Sequence, residues 1–250
     1  MSTTADTWGR LLAGGSALFD PLLAVVFPSA CPSCRVTLDR PTRGPFCGAC
    51  WDTLPRHGTT SCACGLPLPG ALPACGRCRR GLSPLAAGAS IGPYEGTLRV
   101  AIHELKYGGR RRVAARLAEA AFEDPHVRAL LSKGALLVPV PLHPRRRRER
   151  GFNQSELIAR ELARRAEAVV APAALVRRQD TAPQTGLSAS SRRANVRGAF
   201  AVRQRARVAG RTVVLVDDVF TTGATALACA RALRAAGAVE VRLLTMARVS

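Results

Sequence analysis

Residues 213–233 read VVLVDDVFTTGATALACARAL, an apolar strand signal that gives way to two adjacent carboxylates, then to a Thr- and Gly-rich turn, then to an Ala-rich helical pattern. The acidic pair is isolated. The preceding acid is Asp180 and the next is Glu240, although arginine is dense throughout this half of the chain. A strand running into a helix is the repeating unit of an α/β sheet, and ligands of such sheets sit beyond the carboxyl ends of the strands. That rule places Asp217 and Asp218 at a crevice. Thr221, Thr222, Gly223, Ala224 and Thr225 then offer hydroxyl donors, backbone amides and the positive end of a helix dipole, a cradle for one phosphate group. Gly223 allows close backbone approach, whereas the Gly-x4-Gly-Lys-Ser/Thr spacing of a P-loop is absent. Adjacent Asp residues after a strand are by default a solvated turn or a helix cap. The Thr-Thr-Gly-x-Thr that follows favours a ligand: carboxylates beside a phosphate cup can accept from ribose hydroxyls or hold Mg²⁺ through water, so a 5-phosphorylated ribose satisfies both halves.

Outward from this stretch the same alternation recurs. LAAGASIGPY (85–94) predicts a strand ending at Gly92-Pro93, and EGTLRVAIHELKYGG (95–109) a helix with Leu98, Ile102 and Leu105 on one face, stopped by Gly108 and Gly109. ALLVPVPL (135–142) predicts a buried strand, NQSELIARELARRA (153–166) a helix capped by Asn153 or Ser155, and VEVRLLTMARV (239–249) a last strand. The pattern implies a mostly parallel sheet with helices on both faces. RRGLSP (79–84) reads as a linker, which sets the expected domains at 1–82 and 83–250.

Eight of the nine cysteines lie between Cys31 and Cys78, in four close pairs. Cys31, Cys34, Cys47 and Cys50 form C-x2-C-x12-C-x2-C, a strong tetrahedral zinc signal; Cys62, Cys64, Cys75 and Cys78 form a second, less regular set because its first pair is C-x-C. One or two structural Zn²⁺ ions are expected, in sequential or interleaved pairing. Small residues and prolines between the pairs leave little apolar core, so metal supplies much of the folding free energy there. Cys229 stands apart and is expected to pack as a small apolar residue.

At 250 residues the chain is long enough to bury a full core, and 47% hydrophobic with 22% charged residues is a soluble globular composition. Arg10 is the lone basic residue of the first thirty, and Asp20-Pro21 interrupts their apolar run. Pro28 also spoils a lipoprotein cleavage site. These features argue against a signal peptide or a membrane span, and the expected location is cytoplasmic. The formal charge of +20 makes anions the natural partners, and two four-thiolate zinc sites would lower it to about +16. Nearly all the cations are arginine, as expected of compositional bias as well as of phosphate binding.

With these residues in place, VVLVDDVFTTGAT resembles the phosphoribosyl pyrophosphate (PRPP) motif of type I phosphoribosyltransferases. Together with the eight-cysteine region, the whole chain is similar to the ComF family of competence-associated bacterial proteins. The resemblance implies that Asp217 and Asp218 meet the ribose hydroxyls and that residues 221–225 hold the 5′-phosphate; Phe220 departs from the usual aliphatic residue. It also implies a pyrophosphate turn near Pro139 to His143 and an RGFNQ signature at Arg150, Gly151, Phe152, Asn153 and Gln154. Lys106 and Tyr107 of ELKYGGR match, as do Arg177, Thr181, Gln184, Leu187, Arg192 and Asn195 of a loop that closes over PRPP. The outer arginines of 145–150 read as a charged loop, and His103 and His143 are not assigned catalytic roles. The leading expectation is a PRPP- and Mg²⁺-dependent phosphoribosyltransferase linked to DNA uptake, with an unidentified acceptor. The rival is a non-catalytic module for single-stranded DNA or for sensing PRPP; 4% aromatic residues supply few stacking platforms for a strand. A third reading is a zinc-ribbon scaffold that docks onto a helicase or uptake machinery.

Overall fold

The computed structural model describes residues 29–39, 44–57, 62, 64–65, 68, 74–81, 83–131, 134–179 and 198–249. The N-terminal segment read against a signal peptide lies outside them, as do Thr181, Gln184, Leu187, Arg192 and Asn195. Contacts divide the chain into a smaller unit ending at Leu54 and a larger one beginning at Pro55.

In the smaller unit an isolated antiparallel bridge joins Ala30 to Thr37, and α1 (Gly48–Asp52) follows the second cysteine pair. Phe46 and Trp51 pack with ring centroids 5.6 Å apart.

The larger unit carries the sheet. In chain order its elements are α2 (Gly76–Arg79), β1 (Ala87–Pro93), α3 (Gly96–Lys106), α4 (Val113–Phe122), α5 (Pro125–Leu130), β2 (Leu136–Pro139), α6 (Pro144–Arg150), α7 (Gln154–Ala166), β3 (Val169–Val170), β4 (Leu175–Arg177), β5 (Phe200–Val202), α8 (Arg205–Val208), β6 (Thr212–Phe220), α9 (Ala224–Ala235) and β7 (Glu240–Arg248). Five strands form a sheet of order β1-β7-β6-β2-β3 whose pairings are all parallel, as the strand–helix alternation requires. β4 and β5 pair antiparallel as a separate ribbon.

Helix boundaries follow the local chemistry. Asn153 caps α7 by accepting from the Ser155 amide at 3.1 Å, and Leu98, Ile102 and Leu105 of α3 are wholly buried on one face. Gly237, with φ +97°, ends α9: its amide donates to Arg234 O and that of Ala238 to Leu233 O, the paired closure of a left-handed terminus. The run of arginines expected as a loop is the helix α6. His143 Nδ1 accepts from the Arg145 amide at 3.3 Å, Pro144 occupies the first turn, and Gly151 closes the end with φ +77°.

β6 also departs from expectation. It does not end at Val216 but continues through both carboxylates to Phe220, because β7 keeps pairing with it, Asp217 opposite Thr245 and Phe220 opposite Arg248. On its other side β2 ends with Pro139 opposite Val216. From Asp217 onward β6 therefore has lost one neighbour. This is also where connections diverge, β2 leading outward to β3 and β6 to β7, the switch point at which open sheets bind ligands.

The second cysteine set is built into this unit. Cys62, Cys64 and Cys75 join Leu85, Leu215, Leu227 and Leu243 in one buried cluster. A Cβ on Gly88 of β1 would stand 2.5 Å from Cys64 O. Backbone meets backbone here, with no flexible side chain to give way. Gly88→Ala should therefore lower stability by about 1–3 kcal/mol in denaturant unfolding, and should release metal from the second cysteine set before the first.

Candidate functional site

The lost neighbour opens a cavity of about 350 Å³, within the range of small-ligand sites. Asp217, Asp218, Thr221, Gly223, Ala224 and Thr225 line it from β6 and the start of α9; Gln154 enters from α7 and Lys106 from the end of α3. Val140, Pro141 and Leu142 supply the turn after β2, where the pyrophosphate turn was expected. Thr222, Arg150 and Asn153 are not among the lining residues. Asn153 instead fixes the wall, donating to Val140 O at 3.0 Å while capping α7, and Arg150 donates to Gln154 Oε1 with its guanidinium 5.2 Å from the Tyr107 ring centroid. Arg192 lies outside the described residues.

The lining also takes in residues that the sequence does not single out for the pocket, among them Tyr94 just after β1, Arg146 on α6 and Phe220 at the end of β6. Arg146 was read as an outer member of a charged loop. Its helical placement turns it to the cavity, which a run of four arginines in sequence does not reveal.

The two carboxylates have different environments. Asp218, 4% exposed, pairs with Lys106 Nζ at 2.7 Å and accepts from the Val219 amide at 2.7 Å. Burial alone would pull the Lys106 ammonium down, but the charge and hydrogen bond of Asp218, with Asp217 behind it, hold it above the ordinary lysine value. Asp217 accepts from Ser155 Oγ at 3.0 Å and from the Asp218 amide at 2.9 Å. Burial and the adjacent Asp218 charge outweigh these bonds and raise its carboxyl to about 7. One acid of the pair is thus neutralised inside the protein, and the other is poised to ionise near neutral pH.

The turn after them is shaped for an anion. Gly223, the N-cap of the 12-residue α9, has φ +74°, and Ala224, Thr225 and Ala226 of the first helical turn line the cavity, at the positive end of the helix dipole. A Cβ there would meet the Phe220 ring at 2.2 Å. Cys229 is fully buried on α9, and burial pushes its thiol well above the usual value, as expected of a core residue.

The cysteines gather as two sequential quartets, Cys31/Cys34/Cys47/Cys50 and Cys62/Cys64/Cys75/Cys78, each with sulfurs within 4.8 Å of one another. That resolves the pairing left open by spacing. Zn–S bonds of about 2.3 Å in a tetrahedron require sulfurs about 3.8 Å apart. Cys34 and Cys47 lie at 3.6 Å, Cys64 and Cys75 at 3.8 Å. Amides of Cys50, Cys75 and Cys78 donate to the sulfurs of Cys47, Cys62 and Cys75 at 3.3–3.5 Å, as in metal knuckles. Cys31 and Cys62 are partly desolvated, yet amide hydrogen bonds bring each thiol down to about 6, whereas burial and neighbouring sulfurs push Cys50 up to about 12. Four thiolates cannot ionise together without a cation, and the donor sets fit structural zinc.

Comparison with known proteins agrees with this geometry. Residues 153–250 match the phosphoribosyl transferase domain and residues 22–83 the double zinc ribbon domain. The DNA utilization protein YhgH of Escherichia coli K12 is 34% identical over 224 residues, covering 88% of this chain and 97% of that protein. The chain belongs to the ComF family. Its relatives include the YhgH protein of Salmonella typhimurium LT2, 34% identical over 225 residues (88% and 97% covered), and Competence protein F of Haemophilus influenzae Rd, 30% identical over 208 residues (82% and 85% covered). The ComF-family chain combines a phosphoribosyltransferase-like sheet with a cysteine-rich region. Among the described residues no helix is long and apolar enough to cross a membrane.

The acidic pair makes a stability prediction with a definite sign. Asp217 titrates higher folded than unfolded, so the native state binds the extra proton and stability falls as pH rises from about 4 to 7. Asp217→Asn should be more stable than wild type by roughly 1–3 kcal/mol at pH 8 and equal to it near pH 4. Asp218→Asn, which strands Lys106, should be less stable; thermal melts across this range measure both. For the metal, zinc analysis should find two ions per chain, released as acid protonates the thiols.

Proposed function

We propose that the cavity binds PRPP with Mg²⁺ and that the chain acts as a phosphoribosyltransferase. The observation that carries this reading is the meeting, in one cavity, of Asp217, whose carboxyl is raised to about 7, the first turn of α9 and the cations Lys106, Arg146 and Arg177. The 5′-phosphate sits in residues 221–225, and Asp217 accepts from the ribose hydroxyls or holds the Mg²⁺ that accompanies pyrophosphate. Asp218 is committed to Lys106 and orients it. The turn Val140–Leu142, with Arg146 and Arg177, receives the pyrophosphate, and Arg192 of the loop expected to close over PRPP adds to it.

In the reaction, an acceptor nucleophile bonds to C1 as the C1–oxygen bond breaks and its electron pair departs with pyrophosphate, leaving positive charge on the ring in the transition state. This chain's part is to fix the two phosphate ends, orient the ribose and exclude water. The names of the relatives, DNA utilization protein and competence protein, extend the proposal to a role in DNA uptake. A cytoplasmic location suits two quartets of reduced cysteine.

Calorimetry with PRPP and Mg²⁺ tests the binding. Affinity should rise from pH 6 to pH 8 as Asp217 ionises, and Asp217→Asn should abolish it while zinc content stays unchanged. Wild-type affinity equal to that of Asp217→Asn would reject the assignment. Pyrophosphate release should then appear with one acceptor among purines, ammonia, glutamine and short DNA strands; PRPP binding without release from any of them would favour the sensing role over the enzyme. Affinity for single strands that falls steeply with salt would favour the DNA module.

A further inference from the structure

Arg248, near the end of β7, is 4% exposed, an unusual state for a guanidinium. Among the described residues no carboxylate pairs with it. Its Nη1 donates to the carbonyl of Gly65, next to Cys64, and the sulfurs of Cys64, Cys75 and Cys62 favour its charged form. On the other side its guanidinium carbon lies 3.9 Å from the centroid of Phe220, the residue opposite it in the ladder. Phe220 in turn lines the cavity and fills the space where Gly223 would carry a Cβ. A zinc held by four thiolates carries a net charge of about −2, so the second quartet would supply the counter-charge that the buried cation lacks.

These contacts form an unbroken path from the second metal quartet through Arg248 and the Phe220 ring to Gly223. We propose that Arg248 is a positioning residue that couples the second cysteine–metal quartet to the phosphate turn, so that metal in this quartet holds the turn in its binding shape. Phe220 is where the chain departs from the aliphatic residue usual in the motif, and an aliphatic side chain offers a guanidinium no aromatic face. The quartet through Cys50 belongs to the other unit, which ends at Leu54.

The coupling itself does not depend on what the pocket binds, but its consequence for affinity rests on the proposed function. Hydrogen exchange of the amides of 220–226 reads the first, and calorimetry with ribose 5-phosphate reads the second. Arg248→Met should keep both zinc ions and the protection of β2 and α7, yet speed exchange in the turn at least tenfold and weaken ribose 5-phosphate at least tenfold. Phe220→Leu should do the same, and the double variant should add little, since both remove one strut. Graded chelation that empties the second quartet should reproduce the loosening, whereas Cys34→Ser with Cys50→Ser should leave the turn unchanged. Unaltered exchange in Arg248→Met, zinc retained, overturns the coupling. A loosened turn in a protein whose wild type shows no ribose 5-phosphate affinity upholds the strut and counts against the proposed ligand instead.

Discussion

The site depends on an ion pair, Lys106 to Asp218, set where β6 loses its neighbour. Two adjacent carboxylates on a mostly buried strand repel each other, and neither can be screened well by water. By satisfying Asp218, the ammonium lets the pair persist in the fold, and the remaining cost falls on Asp217, whose carboxyl is lifted toward neutrality. Lys106 can do this because α3 presents Leu98, Ala101, Ile102 and Leu105 to the core and ends, at Tyr107, where the Lys106 side chain reaches the strand end. Packing of the helix and neutralisation of the pair are therefore one constraint, and the unfavourable charge is kept where a ligand or cation can use it.

Strong charge elsewhere does not imply the same. Much of the arginine excess is tied up locally: Arg145 with Glu149, Arg147 and Arg160 with Glu156, Arg164 and Arg165 with Glu161, Arg242 with Glu240. Pairs of this kind near the surface contribute little to stability. The cations that bear on function are the few that reach the cavity.

What could be read in the sequence is what local chemistry determines. VVLV followed by a Thr-Gly turn specifies strand, crevice and helix start, and Cys-x2-Cys spacing specifies a knuckle, because each depends on residues within one turn of one another. The end of β6 escaped because ladder pairing with β7, a distant partner, outweighs the turn preference of Asp. Arg146 escaped because a homopolymeric run carries no periodicity, and Tyr94 because its place at the cavity follows from β1 pairing with β7, which brings the Tyr94 amide to Arg248 O at 2.7 Å. Arg248 gave no local signal at all: it sits in an ordinary strand pattern, and its partners lie 28 and 183 residues away.

That separation bears on how the cysteine quartets differ. By composition they form one region, and the double zinc ribbon match spans both. By contacts they part at Leu54, and the second quartet shares a core with the sheet, its backbone pressed so closely on Gly88 that no side chain fits between. A metal in an independent unit can be lost at the expense of that unit alone. A metal in a shared core cannot, because the buried guanidinium it neutralises lies one residue deep behind the phosphate turn, and removing the negative charge leaves a cation in a low-dielectric interior that must either shed its proton or move. Burial already draws Arg248 down to about 10, with the thiolates opposing that shift. Deprotonating a guanidinium at neutral pH would still cost more than displacing a side chain at the end of a strand, so movement is the response the fold permits, and Phe220 is the first group it would reach.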